Sequence, residues 1–145
     1  MLFNWIRNRF HLALDTPAQR GRYGEQQAAR FLRKEHGLKI IARNWRAGKD
    51  EIDLVCRDGE VLVFVEVRTR KEDSLVPGYH SVGGKKKQAL QRACKAYLKA
   101  LHKPIKHFRF DVVEVRLCKT EKFHLNYYSN VSLFKSKHTP ISSHS

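Results

Sequence analysis

The sequence predicts one α/β domain, a central mixed sheet flanked by helices in the order helix, strand, strand, strand, helix, strand. Three observations carry that expectation. Residues 16–37 hold helix start and stop signals around an apolar stripe. Two apolar runs with strand alternation flank Asp58-Gly59, a strong hairpin signal. A second helical stripe over 85–102 then precedes another alternating run, 107–117.

In the first helix, Thr16 reads as the N-cap, Pro17 as the first helical residue and Gln19 as the closing half of a capping box, with Gly37 as the stop. Ala28, Ala29 and Leu32 follow Glu25 by three, four and seven residues, which puts an acid in the apolar stripe. Two readings stand: a helix glutamate satisfied by Arg22 or Arg30, or one arm of a site. Leu38 to Trp45 reads as the first strand, and Ala47 and Gly48 as a loop. The hairpin strands run from about Glu51 to Cys56 and from Glu60 to Thr69. A polar stretch from Lys71 to Gly84 leads into the second helix, with Leu90, Ala93, Cys94, Tyr97, Leu98 and Leu101 as its buried stripe and Pro104 as its end. His107 to Leu117 reads as a fourth strand with both faces partly covered. Phe123 to Phe134 is a candidate edge strand. Residues 1–15 form a basic leader, 16–134 the domain, and the serine- and histidine-rich residues 135–145 a disordered tail.

Counting outward from a two-residue Asp58-Gly59 turn, Arg57 faces Glu60, Val55 faces Leu62, Asp53 faces Phe64 and Glu51 faces Glu66. Glu51, Asp53, Phe64, Glu66 and Arg68 then share one face, and Ile52, Leu54, Cys56, Val61, Val63, Val65 and Val67 the other. Asp53 and Glu66 become diagonal neighbours, about 7 Å apart at Cβ, within reach of one divalent cation. The bland alternative is a charged, solvated hairpin face with Glu66 and Arg68 paired. Glu51 directly opposite Glu66 argues against it, because facing like charges are unfavourable without a cation between them.

Twenty-nine lysines and arginines against 14 acids give a net charge of +15 over 145 residues, which points to a polyanionic partner without choosing a function. Cys56, Cys94 and Cys118 are odd in number, lack zinc spacing and lie in apolar patterns, as expected for reduced core thiols in a cytoplasmic protein. Met1 to Leu14 is too interrupted by polar residues for a membrane span. Phe3, Ile6 and Phe10 there have helical spacing, open to a basic amphipathic helix or to a packed or frayed leader. Lys85, Lys86 and Lys87 follow Ser81-Val82-Gly83-Gly84 at a helix start, where cations are unfavourable unless a phosphate joins them; a solvated basic turn is the equal alternative. Tyr79 and His80 are candidates for touching a base or sugar.

Gly21-Arg22-Tyr23-Gly24-Glu25 with Ala28, Asn44-Trp45-Arg46, Glu51-Ile52-Asp53-Leu54, Phe64-Val65-Glu66-Val67-Arg68-Thr69-Arg70 and Phe110-Asp111-Val112-Val113 resemble the YraN family of bacterial proteins over about residues 18 to 117. That family is similar to archaeal Holliday junction resolvases within the restriction-endonuclease-like PD-(D/E)xK nucleases, so the resemblance implies that fold. It also implies site roles: Asp53 as the motif aspartate, Glu66 as the second acid, Arg68 as the basic residue two further on and Glu25 as the helix acid. Asp50 departs from the family's usual glycine, and Arg68 from the superfamily's lysine.

If the protein is an enzyme, the expected activity is a Mg²⁺- or Mn²⁺-dependent endonuclease acting on structured nucleic acid, DNA ahead of RNA. Asp53, Glu66 and the Val67 carbonyl would hold the metal directly, and Glu25 through water. Arginine is always protonated, which makes Arg68 an electrostatic clamp rather than a base. Arg22, Arg46, Arg70, Lys85, Lys86 and Lys87 are the candidate nucleic-acid contacts. A symmetric four-way junction would require a homodimer. Two alternatives are a non-catalytic nucleic-acid-binding module with a degenerate site and a protein-interaction factor that docks through its basic N-terminus and the aromatic segment 123–134.

Overall fold

A computed structural model describes residue 14 and residues 16–72, 84–119 and 123–133. The remainder of the leader, Tyr79, His80, the Ser81 to Gly83 turn and the tail lie outside the described residues. Helix α1 spans Pro17–Glu35. Its capping box forms as expected: Thr16 Oγ1 accepts the Gln19 N–H at 3.2 Å, and Gln19 Oε1 accepts the Thr16 N–H at 3.0 Å. Gly37 follows the C-cap at φ 66°, a conformation that glycine reaches without penalty.

Strands β1 (Lys39–Ala47), β2 (Asp50–Asp58) and β3 (Val61–Lys71) form an antiparallel meander. Helix α2 (Gly84–Ala100) then crosses over, so β4 (Phe108–Leu117) joins parallel to β3, as such a connection requires. β5 (Phe123–Tyr128) adds an antiparallel edge, and the order is β1-β2-β3-β4-β5. The edge strand expected over 123–134 stops at Tyr128. Val131 N–H instead bonds the Phe110 carbonyl at 2.7 Å, outside the ladder.

Each face of the sheet has its own core. On one, Ala28, Ala29 and Leu32 of α1 pack over Leu54, Cys56, Val63, Val65, Val113 and Val115. On the other, Leu90, Ala93, Cys94 and Tyr97 of α2 pack over Ile52, Val55, Leu62, Phe64, Phe110 and Val112. Covering both faces is why β3 and β4 read as nearly continuous apolar runs.

Two details of the hairpin differ from the sequence count. Asp58 pairs with Val61 and Arg57 with Leu62, so the turn residues are Gly59 and Glu60, with Gly59 at φ 56°. The glycine takes the first central position because its positive φ suits a tight hairpin turn. This moves the register by two residues, which preserves the side-chain faces but changes every facing pair. Continued outward, the observed count places Asp53 across from Glu66 rather than diagonal to it. Glu51 no longer faces Glu66; it pairs with Arg46 across β1 and β2, Nη2 to Oε2 at 3.2 Å.

The second difference is a broken alternation. Ile52 and Val55 share a core although they are three apart, and Leu54 belongs to the other core. Ile52 therefore does not lie with Leu54 and Cys56 as the count expected. On β1, Ala42 and Trp45 show the same three-residue spacing around Asn44, whose φ is 50°. Both strands thus flip at the Asn44 and Asp53 level. Asparagine reaches the left-handed region more readily than most residues, which permits the flip.

Candidate active site at the opening of beta 2 and beta 3

The paired ladder between β2 and β3 ends at Leu54 and Val65. Beyond it the Val67 N–H has no β2 carbonyl, and Asp53 Oδ2 accepts it at 2.8 Å. The aspartate thereby satisfies a backbone donor that the flip would otherwise strand. A strand residue presents its N–H and C=O to the same side, so the Val67 carbonyl also looks toward Asp53. Glu66, 5% exposed, lies on the α2 side and is hydrogen-bonded to Asp53.

Two carboxylates in contact away from water cannot both ionise cheaply. Burial, above all, and then the Glu66 charge push the Asp53 carboxyl up to about 8, against the opposing pull of the Val67 N–H. Glu25 adds to the same rise.

Glu25 reaches the site because α1 lies directly on β3. A Cβ at Gly24 would fall 1.7 Å from Thr69 Oγ1, so only glycine permits this approach. The neighbouring Glu25 is half-buried, which raises its pKa. The Asn44 side chain hydrogen-bonds it and opposes that rise, Glu51 and Glu66 reinforce it, and Arg22 lowers it. The apolar stripe expected around Glu25 is present, since Ala28, Ala29 and Leu32 are all buried. Asn44 was not among the candidate site residues, although it stands in the quoted Asn44-Trp45-Arg46 run; its tolerance of positive φ beside a strand was the available signal.

The cations divide into different jobs. Lys86 Nζ sits 3.0 Å from Glu66 Oε1, so the middle lysine of the basic run turns into the acid site. Lys85 beside it is exposed and Lys87 half-buried. Arg68 is held below its usual range by burial first, with Arg70 adding to the fall and Glu66 and Glu114 opposing it; Glu114 is its partner in the β3 to β4 register. Arg22 is exposed on α1, Arg46 is committed to Glu51, and Arg70 lines a cavity farther along β3. Asp50, the departure from the family's glycine, is clamped by Arg92 of α2 through two 2.9 Å bonds, so its charge is answered away from the site.

The structure therefore brings together Asp53, Glu66, Val67 and Lys86, with Glu25 and Arg68 close enough to be felt electrostatically. Among the described residues no group of three or more His, Cys, Asp and Glu side chains converges as a ready metal cage. On the α1 face, level with Val65, a second acid, Asp111, is fully buried and accepts from Arg109 Nε, the Tyr127 hydroxyl and the Asn130 N–H, while Arg109 also holds Asp58 near the turn at 2.9 Å. That network ties β2, β4 and β5 together.

Fold and site together define an α/β protein with a five-stranded mixed sheet between helices and a buried acid pair where β2 and β3 separate. The model of the uncharacterised protein family UPF0102 matches residues 24–115, and the chain belongs to that family. A UPF0102 protein of Pseudomonas fluorescens is 39% identical over 111 residues, covering 76% of this chain and 89% of the relative. One from Dechloromonas aromatica is 44% identical over 101 residues, 70% of this chain and 82% of its own. The match spans the acid pair, Glu25 and Lys86.

Proposed function

We propose that the protein is a metal-dependent endonuclease hydrolysing phosphodiester bonds in structured nucleic acid, with DNA the favoured substrate. The contact between Asp53 and Glu66 carries this reading. Two buried carboxylates held together with one of them protonated is an arrangement that a divalent cation relieves by replacing the proton, and the Val67 carbonyl supplies a third oxygen of the hard kind that Mg²⁺ or Mn²⁺ prefers. The donor set fits the metal, which when bound would acidify a water and neutralise phosphate charge.

The chain's own residues would do the remaining work. Lys86, drawn to Glu66, lies where it can hold a water or a phosphate oxygen against the acids. Arg68, permanently charged, clamps the phosphate. Glu25, steadied by Asn44, would orient metal-bound water without touching the metal. The lysine that the superfamily signature places two residues after the second acid would thus be supplied from α2.

A binding-only module is the second reading, favoured by the fact that Lys86 already neutralises Glu66. Incubating the protein with four-way junction, flap, nicked and linear DNA and Mg²⁺ or Mn²⁺, beside Asp53→Asn and Glu66→Gln, decides between them. Cleavage abolished by both substitutions is the expected result. Binding without cleavage under every condition establishes the module instead. Cleavage of a symmetric junction would further call for two copies of the chain, which sedimentation on the junction would show.

A further inference from the structure

We infer that the cavity between the start of α1 and the end of β3 is a phosphate subsite, separate from the acid pair. It encloses about 410 Å³ and is lined by Pro17, Arg20, Gly21, Thr69, Arg70 and Lys71 together with Val67. Among the described residues three cations line it and no acid does. Like charges gathered at one concavity repel, a cost that an anion reverses. Arg20 directs Nη1 to the Leu14 carbonyl at 3.1 Å. Independently of the charge count, Arg70 Nε is buried with no hydrogen-bond partner. A buried guanidinium donor left open is costly, and a phosphate held at the cavity by the Arg70 side chain would give it an acceptor once the guanidinium turns outward. The first turn of α1 contains no acid, so its dipole adds to the attraction.

Val67 lies on the cavity wall while its N–H holds Asp53, so the two sites share a strand. Glu66 and Arg70 are four residues apart on β3, about 13 Å at strand rise, which is roughly four stacked nucleotides at about 3.4 Å each. The subsite would therefore grip a phosphate of the same strand whose backbone enters the acid site; that polymer assignment rests on the function proposed above. The phosphate is either an internal diester or a terminal monoester, chemistry the cavity treats alike.

The test uses the full chain. Inorganic phosphate, titrated against chloride at equal ionic strength, is expected to shift the Arg70 Nε–H resonance saturably, with the signal assigned by Arg70→Gln. A Cβ at Gly21 meets nothing within 4 Å, so Gly21→Glu sets a carboxylate beside the cavity from an open position and is expected to abolish the shift with the thermal midpoint preserved. An Arg70 signal that responds alike to phosphate and chloride, or survives Gly21→Glu unchanged, overturns the subsite. For the polymer, the double substitution Arg70→Gln, Lys71→Gln should weaken oligonucleotide binding about tenfold and reduce the salt slope by about one. Loss with a 5′-hydroxyl strand indicates the diester, and loss only with a 5′-phosphorylated strand the monoester. Saturable phosphate binding in a protein that binds no oligonucleotide keeps the subsite and removes the nucleic-acid reading. Oligonucleotide binding indifferent to all three substitutions removes the subsite alone.

Discussion

Asp53 does two things at once: it closes a gap in the backbone ladder and it stores a proton against Glu66. Its folded pKa of about 8 lies above the 3.8 of an ordinary aspartate. Between those limits the folded protein keeps a proton that the unfolded chain releases, so this group makes stability fall as pH rises from about 4 to about 8. Asp53→Asn keeps an oxygen for the Val67 N–H and can donate to Glu66. It should therefore raise metal-free stability at pH 8 by at least the roughly 1.4 kcal/mol that one unit of pKa represents, and much less at pH 4. Thermal unfolding at the two pH values checks this, and equal gains at both would refute the shared-proton arrangement. Lys86 gives a complementary prediction. Lys86→Gln releases Glu66 from its cation, so Mg²⁺ should bind several-fold more tightly by calorimetry while cleavage falls by about 10²-fold or more, the scale of one positioned proton-handling or charge-stabilising group. Tighter binding with undiminished cleavage would remove Lys86 from the mechanism.

At the scale of elements, the contact of α1 with β3 sets how far Glu25 can reach. Gly24→Ala would press a methyl group onto Thr69 Oγ1, and overpacking of this kind costs about 1–3 kcal/mol. Urea unfolding should show that loss and its partial recovery in Gly24→Ala, Thr69→Ala; a double variant no more stable than the single would mean the helix is positioned by something else. Much of this element was legible beforehand. The capping box, the Gly37 stop and the Ala28, Ala29, Leu32 stripe all depend on neighbours within one turn, and all formed. The hairpin was legible only to its parity, because the Asp58-Gly59 pair signals a turn without saying which residues occupy its centre. The flip at Asn44 and Asp53 was not legible, since it involves two strands adjusting to each other and neither sequence contains the other's need.

For the molecule as a whole, the acid site and the Asp111 network occupy opposite faces of one sheet, Asp111 pairing with Val65 and Glu66 with Val112, and divide function from anchoring. Asp111→Ala would leave Arg109 partly buried and short of its main acceptor, a change expected to cost about 3–5 kcal/mol in denaturant unfolding. The Mg²⁺ affinity of the molecules that remain folded should be unchanged; a loss of metal binding equal to that of Asp53→Asn would show the two faces to be linked. The surface charge of +15 predicts that oligonucleotide affinity falls steeply with salt, whereas a flat response would favour a protein partner. Among the described residues no helix is long and apolar enough to cross a membrane. Local rules acting through the sequence determined the helices, the hairpin and its parity, the two-sided core and the presence of Asp53 and Glu66 on its two arms, because periodicity and caps act over a few residues. Only the tertiary structure decided that the two carboxylates touch, that Lys86 answers Glu66, that Arg92 absorbs Asp50 and that three cations meet around one cavity. These contacts join residues far apart along the chain, and no spacing rule reaches that distance.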